Sequence, residues 1–129
     1  NHKGFCVEYD FSEDSHLRKI AEPVRYSETI PALSLANLPK GAENNFLDIC
    51  IFTKAKQWEY EKEWRVIMHE GGRSFQTPSK TTSIIFGARM PLEEKVMLYR
   101  ALRHKEGIEF KEAQLLEDRF AIQFSPFTI

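Results

Sequence analysis

The sequence predicts an α+β fold: a mixed, largely antiparallel sheet carrying two helices, either one domain over residues 1–129 or the C-terminal portion of a larger one. Three observations predict it. Short β-prone runs bounded by turn residues recur along the chain, at 4–10, 24–26, 58–69, 82–87 and within 108–124. Two other segments, 46–53 and 91–105, carry apolar residues at spacings of three and four, the period of a helix. Only 91–105 reads as a clear crossover between adjacent strands, which fits a doubly wound parallel sheet poorly.

The first run, Gly4-Phe5-Cys6-Val7-Glu8-Tyr9-Asp10, places Phe5, Val7 and Tyr9 on one face of a strand. Ser15 can cap a short turn through Ile20, before Pro23, and Val24-Arg25-Tyr26 reads as a second short strand. Residues 28–43 hold Pro31, Pro39 and Gly41 and read as a long loop, of the length that more often serves function than not. Asn44 or Asn45 can cap the 46–53 helix, whose apolar positions are Phe46, Ile49, Cys50 and Thr53. Residues 58–69 read as a strand that ends at Gly71-Gly72, a pair expected to turn a hairpin into a short strand near 74–76.

Thr82 to Gly87 is mostly apolar and reads as a strand buried on both faces. In the 91–105 helix, Pro91 suits the first turn, and Glu93 and Glu94 suit the positive end of the dipole. Leu92, Val96, Tyr99 and Leu102 form its apolar stripe, and Gly107 can close it. His104 is then a helix-end charge. Ile108–Leu115 and Phe120–Phe124 complete the chain as two strands turning at Glu117-Asp118. The chain begins at Asn1 and enters a strand almost at once, as expected of a piece of a longer domain.

With 42% hydrophobic and 29% charged residues, the composition is that of an ordinary globular protein. The net charge of −1 gives no general basis for binding nucleic acid or an anionic membrane. Ten phenylalanines point to a well-packed interior. Cys6 and Cys50 sit among apolar neighbours and are expected to be buried, reduced thiols. No apolar run reaches the length of a membrane span and no signal peptide is evident, so a cytoplasmic location is expected.

The densest chemistry lies in Trp58-Glu59-Tyr60-Glu61-Lys62-Glu63-Trp64-Arg65. On a strand, Tyr60, Trp64, Val66 and Met68 share one face, expected to anchor in the core. Glu61, Glu63 and Arg65 line the other, with same-face neighbours roughly 6.5–7 Å apart. Such a row is most often a solvated ladder worth about 0–1 kcal/mol per exposed pair. The histidines His2, His16, His69 and His104 are scattered, with no cysteine or aspartate at zinc-ligand spacing. His69 shares the Glu61/Glu63 face, but Arg65 between them would repel a cation. No P-loop, dinucleotide glycine fingerprint or nucleophile elbow is present. Two carboxylates side by side on one face also do not flank a sugar ring as glycosidase carboxylates do.

Several segments together resemble a bacterial family, in the same order along the chain. They are His2-Lys3-Gly4-Phe5-Cys6-Val7, then Val24-Arg25-Tyr26, then Lys54 with the 58–65 octet, then Ile84-Ile85-Phe86-Gly87. The family is the one catalogued as domain of unknown function 2971, in which the His-Lys-Gly segment lies mid-domain. The octet is the specific part of the match, and the family itself implies no activity. More distantly, Glu61-Lys62-Glu63 at the start of a strand resembles the Glu-x-Glu signature of ADP-ribosyltransferase folds. That resemblance implies an NAD-dependent ADP-ribosyltransferase or NAD glycohydrolase with NAD as substrate. Glu63 would be the catalytic carboxylate at the nicotinamide ribose and Glu61 the acceptor-side one. Arg65 would orient Glu63 or bind a phosphate of the dinucleotide. The Ser-Thr-Ser triplet of such folds is not matched, since Thr81-Thr82-Ser83 follows the Glu-x-Glu. The alternative is a non-catalytic sensing or protein-interaction module, with the Glu/Arg row structural and the 28–43 loop binding a protein partner.

Overall fold

The computed structural model describes residues 2–31, 43–68 and 70–129, with backbone alone over 43–46. Its architecture is α+β, in two compact units: Asn1–His16 with Gln76–Ile129, and Leu17–Phe75. Among the described residues, no helix is long and apolar enough to cross a membrane.

The first unit is built on a four-stranded sheet in the order β1-β6-β7-β8, comprising β1 (Phe5–Tyr9), β6 (Thr81–Phe86), β7 (Glu109–Leu115) and β8 (Ile122–Pro126). β1 and β6 run antiparallel, as do β7 and β8; β6 and β7 are parallel and joined through α3 (Leu92–Leu102). Register aligns Val7, Ile84 and Phe110 across three strands, so one face of the sheet is an apolar row. Ile84, Phe86, Met90 and Phe127 form the core on that face, with Val7, Leu98, Tyr99, Leu102, Ile108 and Phe110 packed around them. Its rings meet edge to face, Phe86 on Phe127 at 4.8 Å and Tyr99 on Phe110 at 4.9 Å, a favoured aromatic geometry. Ser83 through Phe86 are all buried, so β6 is covered on both faces as its composition predicts.

α3 starts one residue after Pro91, with Glu93 and Glu94 in its first turn. It is rotated relative to the expected stripe. Leu92 is exposed, while Lys95 is buried beside Leu98, Tyr99 and Leu102. Lys95 manages this by ending its aliphatic stem in an ion pair, Nζ to Glu112 Oε2 at 3.1 Å.

The second unit has short elements: α1 (His16–Ile20), β2 (Glu22–Pro23), β3 (Arg25–Ser27), α2 (Glu43–Phe52), β4 (Thr53–Ala55), a 3₁₀ helix (Lys56–Glu61) and β5 (Trp64–Arg65). β2 pairs antiparallel with β5, and β3 pairs parallel with β4. The expected 46–53 helix is present but begins at Glu43, so Asn44 and Asn45 lie inside it rather than at its cap. α1 and the 3₁₀ helix add to the two helices expected from periodicity.

The 58–69 strand is the main correction. Residues 56–61 are 3₁₀ helix, Lys62 turns through a left-handed conformation (φ 46°, ψ 46°), and only Trp64–Arg65 is strand. The apolar alternation that suggested a strand breaks at Lys62. The segment before it instead supports i,i+3 contacts, such as Lys56 Nζ to Glu59 Oε1 at 3.1 Å. Trp64, expected in the core, is 42% exposed and lies under the Arg18 guanidinium, 4.9 Å from its ring centroid. Gly72 does adopt a positive φ of 70°, but no strand follows it at 74–76. Both cysteines are free as expected, yet both are exposed rather than buried.

Candidate functional site

In the second unit, four elements bring Lys54, Glu61, Glu63 and Arg65 together. Glu61 ends the 3₁₀ helix, and the left-handed turn at Lys62 reverses the chain so that Glu63 follows on the same side. Glu63 is then fixed by its backbone. Its N–H donates to the Tyr26 hydroxyl at 2.8 Å, and its carbonyl accepts the Val24 N–H at 2.9 Å. Tyr26 is itself aligned with Lys54 by the parallel β3–β4 register.

The Glu63 carboxylate faces two cations. Arg65 grips it with one edge of its guanidinium, Nε to Oε1 at 2.6 Å and Nη2 to Oε2 at 3.1 Å. Lys54 Nζ adds a third bond, to Oε2 at 3.0 Å, and also pairs with Glu61 Oε2. The remaining Arg65 nitrogen, Nη1, donates to the Ile51 carbonyl in the last turn of α2, where unpaired carbonyls make a cation favourable. The guanidinium first and Lys54 second hold the Glu63 carboxyl down at about 2, against an ordinary 4.5. In return, Glu61 and then Glu63 raise the Lys54 ammonium above its usual range. At neutral pH all three charges are fixed.

A carboxylate offers about four acceptor positions. Three on Glu63 are taken, and one on Oε1 has no protein donor among these bonds. Its side chain is 29% exposed and that of Glu61 33%, so both remain reachable from solvent. Trp58 stands beside them with its ring 5.3 Å from Lys54 Nζ, and Tyr60 is largely exposed. Lys54 also lines a mostly apolar pocket of about 350 Å³, between 27–31 on one side and Ile49, Cys50 and 53–55 on the other.

Glu61, Glu63 and Arg65 are thus brought together, although not as a row on one strand. The arginine expected to orient Glu63 or meet a phosphate directs two of its nitrogens at Glu63 and the third at Ile51. His69 and residues 32–42 of the expected loop lie outside the described residues. Among the described residues, no group of three or more histidine, cysteine or acidic side chains could hold a metal ion. Lys54 and Tyr26 also belong to the site, although neither carries a chemical motif of its own in the sequence. Their only signal in the sequence was membership of the motif blocks 24–26 and 54–65, which converge here. No family model matches the chain, and neither a curated protein nor a solved structure does.

Proposed function

We propose that the Lys54–Glu61–Glu63–Arg65 cluster is the acidic centre of an NAD-processing site of the ADP-ribosyltransferase or NAD glycohydrolase type. The observation that carries this reading is the state of Glu63: ionised, held on two sides, and with one acceptor position unclaimed among the described residues. Cleavage breaks the bond between the ribose anomeric carbon and the nicotinamide nitrogen, whose electron pair leaves with nicotinamide. The ribose passes through an oxocarbenium-like state, and a fixed anion beside it stabilises developing positive charge without reorganising. Water or an acceptor hydroxyl then adds to that carbon, and Glu61 takes its proton. Arg65 acts in this scheme by orienting Glu63.

The test is nicotinamide release from NAD by the complete protein. Glu63→Gln keeps the shape and removes the charge, and should lower kcat by a factor on the order of 10²–10³. A complete protein that leaves NAD intact contradicts the reading, as does a Glu63→Gln variant with unchanged turnover.

A second reading has its own support. The fork of Arg65 and the ammonium of Lys54 already satisfy most of Glu63, which suits a structural clamp joining α2, β4 and β5. On that reading the chain is a non-catalytic sensing or protein-interaction module. It predicts that Glu63→Gln lowers stability and leaves the protein without any NAD-dependent activity to lose.

A further inference from the structure

We propose that Lys54 is a positioning residue for the carboxylate pair, holding Glu61 against Glu63 so that both face the substrate. This rests on the NAD-processing reading above. Its geometric basis is an asymmetry within the cluster. Glu63 is held three ways, by Arg65, by Lys54 and through its own backbone N–H on Tyr26. Among the described residues, Glu61 has one side-chain bond of this kind, to Lys54.

Two carboxylates brought to one place repel, and a cation between them removes that cost. Lys54 occupies that position, with Nζ bonded to an oxygen of each. Arg65 does not take this place: its bonds run to Glu63 and the Ile51 carbonyl, not to Glu61. The lysine comes from β4, whose register against β3 also places Tyr26, so the ammonium and the phenol arrive on Glu63 from one two-stranded ribbon.

Replacing Lys54 with methionine keeps the stem and removes the charge. The acid limb of the kcat/KM profile for NAD cleavage should then move to higher pH, because Glu63 must ionise with only one of its two cations left. Lys54→Arg should restore most of the wild-type profile. A purely structural lysine would lower activity at every pH alike and leave the limb where it was, which overturns the proposal. A second readout needs no turnover. In a ¹³C carboxyl titration of Lys54→Met, the Glu63 midpoint should rise from about 2 yet stay below 4.5, since Arg65 remains. An unmoved midpoint also overturns the proposal. If the complete wild-type protein cleaves no NAD, the catalytic reading fails by itself, and the titration still decides whether Lys54 governs Glu63.

Discussion

Gly87 gives the sharpest stability prediction for the first unit. A methyl group there would land on the His2 carbonyl oxygen, 2.6 Å from that of Gly4 and 2.8 Å from the His2 carbonyl carbon. All three are backbone atoms, so no side chain can swing aside. The same place carries two hydrogen bonds that tie 2–4 to the end of β6, Gly87 N–H to Gly4 O and Arg89 N–H to His2 O, each 2.8 Å. Making room for the methyl means parting these strands. Two backbone bonds at about 0.5–1.5 kcal/mol each give a loss of about 1–3 kcal/mol. Overpacking strain adds about 1–3 kcal/mol. Gly87→Ala should therefore cost about 2–6 kcal/mol in urea unfolding. Circular dichroism is the suitable probe, because Trp58 and Trp64 both report on the second unit. Gly71→Ala is the control: its methyl meets nothing within 4 Å and should shift stability by less than about 0.5 kcal/mol. A Gly87→Ala loss under about 1 kcal/mol would refute the close approach.

Two further predictions concern exposed side chains. Trp64→Ala should cost about 1–2 kcal/mol, short of the roughly 3–5 kcal/mol of a buried indole, and a double-mutant cycle with Arg18→Ala should show coupling of about 0.5–1 kcal/mol. A loss above about 3 kcal/mol, or no coupling, would contradict the half-exposed stacked ring. Cys6 and Cys50 should both react with iodoacetamide in the native protein, read as two added labels by mass; a protein that takes up label only after unfolding would contradict their exposure.

What was legible in the sequence follows the reach of the forces involved. β6 and the 92–102 helix were readable because their burial is written in local sequence: 82–87 is a mostly apolar run, and Tyr99 and Leu102 recur at a helical spacing. Even there Lys95 was missed, since its burial depends on Glu112, seventeen positions away. The site was harder. The aromatic residues of 58–69 favour a strand, but Lys62 interrupts the alternation and turns the chain through left-handed space. The acids were nevertheless brought together, because Lys54 and Arg65 gather them by charge rather than by pleat. Tyr26 reaches Glu63 across 37 residues through the β3–β4 ribbon, a pairing that no local pattern encodes. Aromatic composition was also a poor guide to burial: Phe86 is fully buried, whereas Phe120 is fully exposed.

Both readings of the site need Glu63 to be an anion fixed by Arg65 and Lys54. Its folded-state pKa lies below the ordinary value, so this interaction stabilises the fold above about pH 4.5. That contribution fades as pH falls toward 2. The direct measurement is a ¹³C titration of the Glu63 carboxyl in the folded chain, assigned by comparison with Glu63→Gln. The predicted midpoint is about 2 in the wild type, with a clear rise in Arg65→Gln. A wild-type midpoint near 4.5 would mean that the carboxylate is not held by these cations, and would remove the basis for both the clamp and the catalytic centre.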